Sequence, residues 1–202
     1  MTTTGLRMSD LHNAFVGPVS LEVTAGSCAA ITGPSGSGKS LLLRMIADLD
    51  PNDGDVWLDG AARSAVPAPE WRRRAIYLSA ESGWWSDMVA DHFAADERDA
   101  ADALAERLGV RASAMAAPVA QLSTGEKQRL ALVRALVKSP TALLLDEATA
   151  ALDPASVARV ETLLSEFMAR GHPIVLVTHD PEQAQRMGTQ RYQMNSGRLV
   201  KA

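Results

Sequence analysis

The residues with the clearest capacity for chemistry are Gly33-Pro34-Ser35-Gly36-Ser37-Gly38-Lys39-Ser40, followed by Leu41. They satisfy the pattern G-x-x-x-x-G-K-[ST]. Gly33, Gly36 and Gly38 let the backbone turn tightly and aim its N–H groups inward. Lys39 has the reach for the β- and γ-phosphates of a nucleoside triphosphate, and the Ser40 hydroxyl suits Mg²⁺. A helix starting near Lys39 adds the positive end of its dipole. The alternative is a Gly/Ser-rich turn that binds nothing. The apolar run before it, Ser27–Thr32, and the helix formers after it, Leu41–Ala47, weigh against that alternative.

Two further groups could act on a phosphate held there. The apolar run Ala142–Leu145 ends in Asp146-Glu147. Paired carboxylates at the end of a buried strand need a counter-charge or solvent. Mg²⁺ supplies one to Asp146, and Glu147, pointing the other way, is then free to polarise a water. A second apolar run, Ile174–Val177, ends in Thr178-His179-Asp180. His179 would share a sheet edge with Asp146 and could donate to a γ-phosphate there; a lone histidine is otherwise a structural residue. Leu122-Ser123-Thr124-Gly125-Glu126 has the Ser123/Glu126 spacing of a capping box, opening a helix over Lys127–Leu136. That helix start offers a second possible place for an anion, but taken alone the spacing reads first as an ordinary helix cap.

The elements that must position these groups follow from periodicity. Val19–Val23 alternates apolar and polar residues, as a half-buried strand does. Asp50–Gly54 is a cluster of breakers, with a short strand expected at Val56–Leu58 and another at Ala75–Leu78. From Glu81 to about Val119 the character changes. Asp96–Leu108 reads as a helix stopped by Gly109, inside a small helical insert. Val157–Arg170 reads as an amphipathic helix ending at Gly171. Arg191–Met194 and Arg198–Val200, joined by Asn195-Ser196-Gly197, read as a closing hairpin.

Composition excludes some classes. The net charge of −4 gives no general attraction to nucleic acid. One cysteine, Cys28, cannot form an internal disulfide and suits a reducing compartment as a small core residue. The stretch Met1–Arg7 lacks the apolar core of a secretory signal. No apolar run approaches the ~20 residues needed to span a bilayer, so a membrane role is expected only through a partner.

The order of these pieces resembles the ATP-binding cassette (ABC) ATPase family across nearly the whole chain. Gly33–Ser40 is similar to its Walker A motif and Leu122–Glu126 to its LSGGQ signature. Leu143–Glu147 is similar to Walker B with the catalytic glutamate. Ala151-Leu152-Asp153 is similar to the D-loop, and His179 to the switch histidine. The resemblance implies an α/β fold. It has a P-loop NTPase (RecA-like) core, an antiparallel β subdomain and a small helical subdomain, in a single domain over 1–202. The core would be 1–80 and 125–202, and the helical subdomain about 81–124.

It also implies ATP and Mg²⁺ as cofactors, a homodimer of cassettes packed head to tail, and a transmembrane permease subunit on a separate chain. The catalytic residues would be Glu147, His179 and Lys39. Gly33, Pro34, Ser35, Gly36, Ser37, Gly38, Lys39, Ser40 and Leu41 would hold the nucleotide from one copy, and Ser123, Gly125 and Glu126 from the other. Ser40 and Asp146 would hold the metal. The transported substrate would not touch this chain, no nucleic acid is expected, and the location would be cytoplasmic, on the inner face of the membrane through the partner. A soluble ABC ATPase acting on nucleic acid or ribosomes is the alternative; such proteins usually carry a coiled-coil insert or two cassettes, and neither is read here.

The sequence departs from the family pattern at three places. Ala80 falls near the Q-loop glutamine, Thr124 replaces a signature glycine, and Ala150 takes the usual D-loop serine position. Phe15 and His12 are the candidates for stacking on adenine. Trp84 and Trp85 follow the Q-loop region, where the resemblance implies contact with the membrane partner; packing inside the cassette is the alternative for both.

Overall fold

The structure, a computed structural model, describes residues 5–202. In chain order its elements are β1 (Gly5–His12), β2 (Val19–Thr24), β3 (Cys28–Thr32), α1 (Lys39–Ile46), β4 (Asp53–Leu58), β5 (Ala61–Ala62), α2 (Ala68–Arg74) and β6 (Ala75–Leu78). Then come α3 (Arg98–Arg107), α4 (Thr124–Leu136), β7 (Ala142–Asp146), α5 (Pro154–Ala169), β8 (Ile174–Val177), α6 (Pro181–Met187), β9 (Gln190–Asn195) and β10 (Arg198–Lys201). Between β6 and α4 the remaining order is short 3₁₀ turns. Among the described residues no helix is long and apolar enough to cross a membrane.

The strands form two sheets. One is antiparallel, in the order β2-β1-β4-β5. The other runs β10-β9-β3-β8-β7-β6, parallel from β9 to β6, with β10 as an antiparallel edge. The continuous apolar runs of β3, β7 and β8 suit their central places, because a parallel strand buried on both faces needs apolar residues at every position. Leu143, Leu145, Ile174 and Leu176 face one core, shared with Leu130 and Val133 of α4 and Leu164 and Phe167 of α5. Their neighbours Leu144, Val175, Val177 and Ile31 face the other, shared with Leu42, Met45 and Ile46 of α1. The parallel register sets Asp146 beside Val177 and Val177 beside Ile31. The loops after β3, β7 and β8 therefore leave the sheet side by side.

The sequence reading missed β1, the two-residue β5, α2 and α6. In β1, Leu6 and Met8 alternate with exposed or half-exposed neighbours, but the register shifts between Met8 and Leu11, where Asp10 takes φ +49°. That bulge breaks the period of two on which a strand is recognised. Strand β4 starts at Asp53, inside the expected breaker cluster. Gly54 lies within it at φ +90°, because a Cβ there would collide with the main chain of Asp10 and Leu11. Helix α5 begins earlier than expected, at Pro154, where Asp153 caps it through Ser156 N–H (3.0 Å).

Candidate active site

Gly38, at φ +104°, turns β3's outgoing loop into α1. A side chain there would run into Val16, so only glycine keeps the loop close to its neighbour. Lys39 folds back over the loop, and its ammonium donates to the carbonyls of Gly33 (2.8 Å) and Pro34 (2.9 Å). No carboxylate lies within salt-bridge distance of it among the described residues. The Ser37 hydroxyl is buried without a hydrogen-bond partner there. A glycine loop holding an ammonium without a carboxylate partner and an unpartnered buried hydroxyl fits an anion.

Ser35, Gly36, Gly38, Lys39, Ser40 and Leu41 line one hollow of about 300 Å³, and Glu147 and His179 face them across it. Residues from three separate stretches of sequence thus meet at the sheet edge. Asp146 is 4% exposed and accepts a 2.9 Å hydrogen bond from the Tyr77 hydroxyl. It has no cationic partner among the described residues, so its charge suits a metal ion. Burial pushes the Tyr77 phenol well above its usual range, and the bond to Asp146 adds to this, so Tyr77 stays the donor. Glu147, the next residue, has left-handed backbone (φ +52°) and different side-chain partners. Its Oε1 lies 2.7 Å from His179 Nε2. No cluster of three or more His, Cys, Asp or Glu residues is placed to hold a metal among the described residues. A metal at Asp146 would therefore need Ser40 and the phosphates themselves as ligands.

Ser123, Gly125 and Glu126 do not line this hollow; they sit at the start of α4. Ser123 N–H donates to Glu126 Oε2 (2.9 Å) and Glu126 N–H to Ser123 Oγ (3.2 Å), the two halves of the expected capping box. Of the two aromatic candidates, His12 is engaged through Nδ1 with the Asp10 carbonyl (2.7 Å). Phe15 is 76% exposed and, with Leu41, lines a hollow of about 640 Å³ beside the glycine loop. Trp84 packs against the core and stacks edge-on with His92, whereas Trp85 is 70% exposed. The Arg134 guanidinium lies over both indoles.

With this geometry in view, the comparisons with known proteins decide the family. Residues 16–150 match the profile of the ABC transporter family. The chain belongs to that family. The methionine import ATP-binding protein MetN of Thermobifida fusca is 37% identical over 208 residues, covering 90% of this chain and 61% of that protein. The aliphatic sulfonates import ATP-binding protein SsuB 3 of Rhodococcus jostii is 33% identical, covering 98% of this chain and 72% of that protein. The chain thus spans less than two thirds of the MetN relative. The dimeric, post-hydrolysis structure of the ATP-binding cassette MJ0796 bound to ADP and phosphate has the same fold. Its TM-score is 0.83 at 23% identity, with 97% of this chain and 98% of that one covered.

One site neighbour of this ABC-family chain escaped the sequence reading. Tyr77 was read only as part of an apolar strand. The pairing of β6 with β7 sets Tyr77 level with Leu144, two residues from Asp146, and so within reach of that carboxylate.

Proposed function

We propose that this chain is the ATP-hydrolysing cassette of an ABC transporter, in which two copies close head to tail over ATP and drive a separate transmembrane permease subunit. The observation that carries this reading is the meeting of Lys39, Ser40, Glu147 and His179 around one hollow. In the reaction, Lys39 leaves the carbonyls of Gly33 and Pro34 for the β- and γ-phosphates, while the glycine-loop amides hold the chain of phosphates. Asp146 and Ser40 would hold Mg²⁺, whose charge would offset that developing on the phosphates. Glu147 orients and polarises the attacking water, and His179 fixes the Glu147 carboxylate while it contacts the γ-phosphate. Phe15 supplies the platform for adenine, with Leu41 beside it.

Ser123 and Gly125 of one copy seal the nucleotide bound by the other, and Glu126 locks the helix start that carries them. Residues 81–124 form the helical subdomain, with the rest of the chain as the core. The permease docks beside this subdomain, where Trp85 is exposed. The location is then cytoplasmic, on the inner face of the membrane through that partner. The transport names of the relatives support this reading over action on nucleic acid.

The test compares Lys39→Ala and Glu147→Gln in purified protein. Lys39→Ala is expected to lose tight ATP binding. Glu147→Gln is expected to keep binding, stop turnover and run as an ATP-dependent dimer. Unchanged affinity in the first variant, or continued hydrolysis in the second, refutes the assignment.

A further inference from the structure

We infer that Gln128 is a positioning residue for Glu147: its side-chain amide brackets the turn that carries the carboxylate. Gln128 lies on α4, away from the glycine loop, and is only 5% exposed. The α4 positions buried with it are Leu130, Ala131, Leu132, Val133 and Ala135, all apolar. An amide among them incurs a desolvation cost unless both its ends are matched. Both are, and both partners belong to the same turn. Nε2 donates to the Glu147 carbonyl at 3.1 Å, and Oε1 accepts from the Ala151 N–H at 3.2 Å.

The turn needs such a bracket. Glu147 is a non-glycine residue in left-handed backbone, a conformation that persists only where surrounding contacts fix it. Its N–H donates to the Val177 carbonyl (3.0 Å), which pins one side of the residue to β8. Its carbonyl accepts from Ala150 N–H (3.1 Å) and from Gln128, which pins the other. The first of these carbonyl partners lies within the turn itself; Gln128 ties the turn to a separate helix. With both sides held, the Glu147 side chain is directed at His179 and the hollow. Without Gln128, the carbonyl and the Ala151 N–H each lose a partner, and the peptide plane that sets the carboxylate's direction is freed. A displacement on the order of 1 Å at a reacting group is enough to cost orders of magnitude in rate.

This inference rests on the reading of Glu147 as the residue that readies water. The test measures ATP hydrolysis, ATP affinity and thermal melting for Gln128→Leu and Gln128→Glu. The leucine removes both hydrogen bonds at similar volume. The glutamate keeps an acceptor for Ala151 N–H but turns an oxygen toward the Glu147 carbonyl. Both variants are expected to lose kcat by about tenfold or more, with KM and Kd for ATP within about twofold of wild type. If the leucine variant does not fold, Gln128→Met, unbranched and flexible, takes its place. A folded variant with kcat within twofold of wild type overturns the inference, as does a parallel change in kcat and KM. Glu147→Gln run alongside separates the two failures. Hydrolysis surviving in it overturns the role of Glu147 itself. Its loss there, with normal turnover in the Gln128 variants, overturns only the bracket.

Discussion

The Tyr77 hydroxyl donates a 2.9 Å hydrogen bond to Asp146 Oδ2, and this is the only side chain bonded to that buried carboxylate among the described residues. A carboxylate 4% exposed with one neutral donor is under-compensated. Removing the donor by Tyr77→Phe is expected to destabilise the nucleotide-free protein by about 1.5–3 kcal/mol, the range for a hydrogen bond to a charged group. On the proposed function, a Mg²⁺ ion held by Asp146 in the ATP complex would compensate that charge. The difference in melting temperature between variant and wild type should therefore shrink when Mg²⁺ and ATP are added. A constant difference would mean that Asp146 does not meet the metal.

His179 Nε2 lies 2.7 Å from Glu147 Oε1, so the two side chains orient each other across the hollow. His179→Ala removes the contact to the Glu147 carboxylate and, on the proposed function, a donor to the γ-phosphate. Steady-state hydrolysis is expected to fall by about 10²-fold or more, the scale of a lost proton-handling group. ATP binding, measured by nucleotide protection against thermal melting, should hold. Turnover within a few-fold of wild type would exclude a γ-phosphate contact.

Glu126 carries a pH signature. The Ser123 backbone N–H is the main cause holding its carboxyl below the usual range, with help from the Ser123 hydroxyl and the Arg111 guanidinium. A carboxyl whose folded pKa is depressed contributes stability that is complete above its unfolded pKa. That contribution is lost as the pH falls through the folded value. Wild type should melt above Glu126→Gln at pH 7. The gap should close as the pH drops below about 4.3, the ordinary glutamate value. A gap that stays constant down to pH 3 would show that the charge on Glu126 does not support the cap.

How much of this was legible in the sequence depends on whether a feature is local. The glycine loop, the capping box and the apolar strands ending in Asp146-Glu147 and His179 are set by neighbouring residues, and they occur where local pattern puts them. Strand β1 was hidden because its bulge at Asp10 interrupts the alternation, and β4's start because Gly54 serves a close backbone approach rather than a turn. Tyr77 and Gln128 are long-range. Their partners lie 69, 19 and 23 residues away in sequence, and only the parallel register of β6 with β7 and the packing of α4 bring them together. No spacing rule within a single chain carries that information.

The closing hairpin holds two loops of the nucleotide site at once. Gly197 N–H donates to the Ser37 carbonyl in the glycine loop (2.9 Å), and the Gly197 carbonyl accepts from Gly17 N–H (2.8 Å) beside the Phe15 loop. Its φ of +78° and the collision a Cβ would make with the Phe15 carbonyl leave no room for a side chain. Gly197→Ala must therefore push the Phe15 loop away from the glycine loop, or break one of the two hydrogen bonds. Phe15→Ala deletes the platform proposed for adenine, where stacking on a base would contribute about 1–3 kcal/mol. Both variants are expected to raise KM for ATP and to leave kcat near wild type, because neither touches Glu147 or His179. Since the alanine at 197 acts largely through Phe15, the double variant should raise KM by less than the product of the two single effects. Fully multiplicative effects would mean that the hairpin positions the glycine loop alone, and that Phe15 binds adenine without its help.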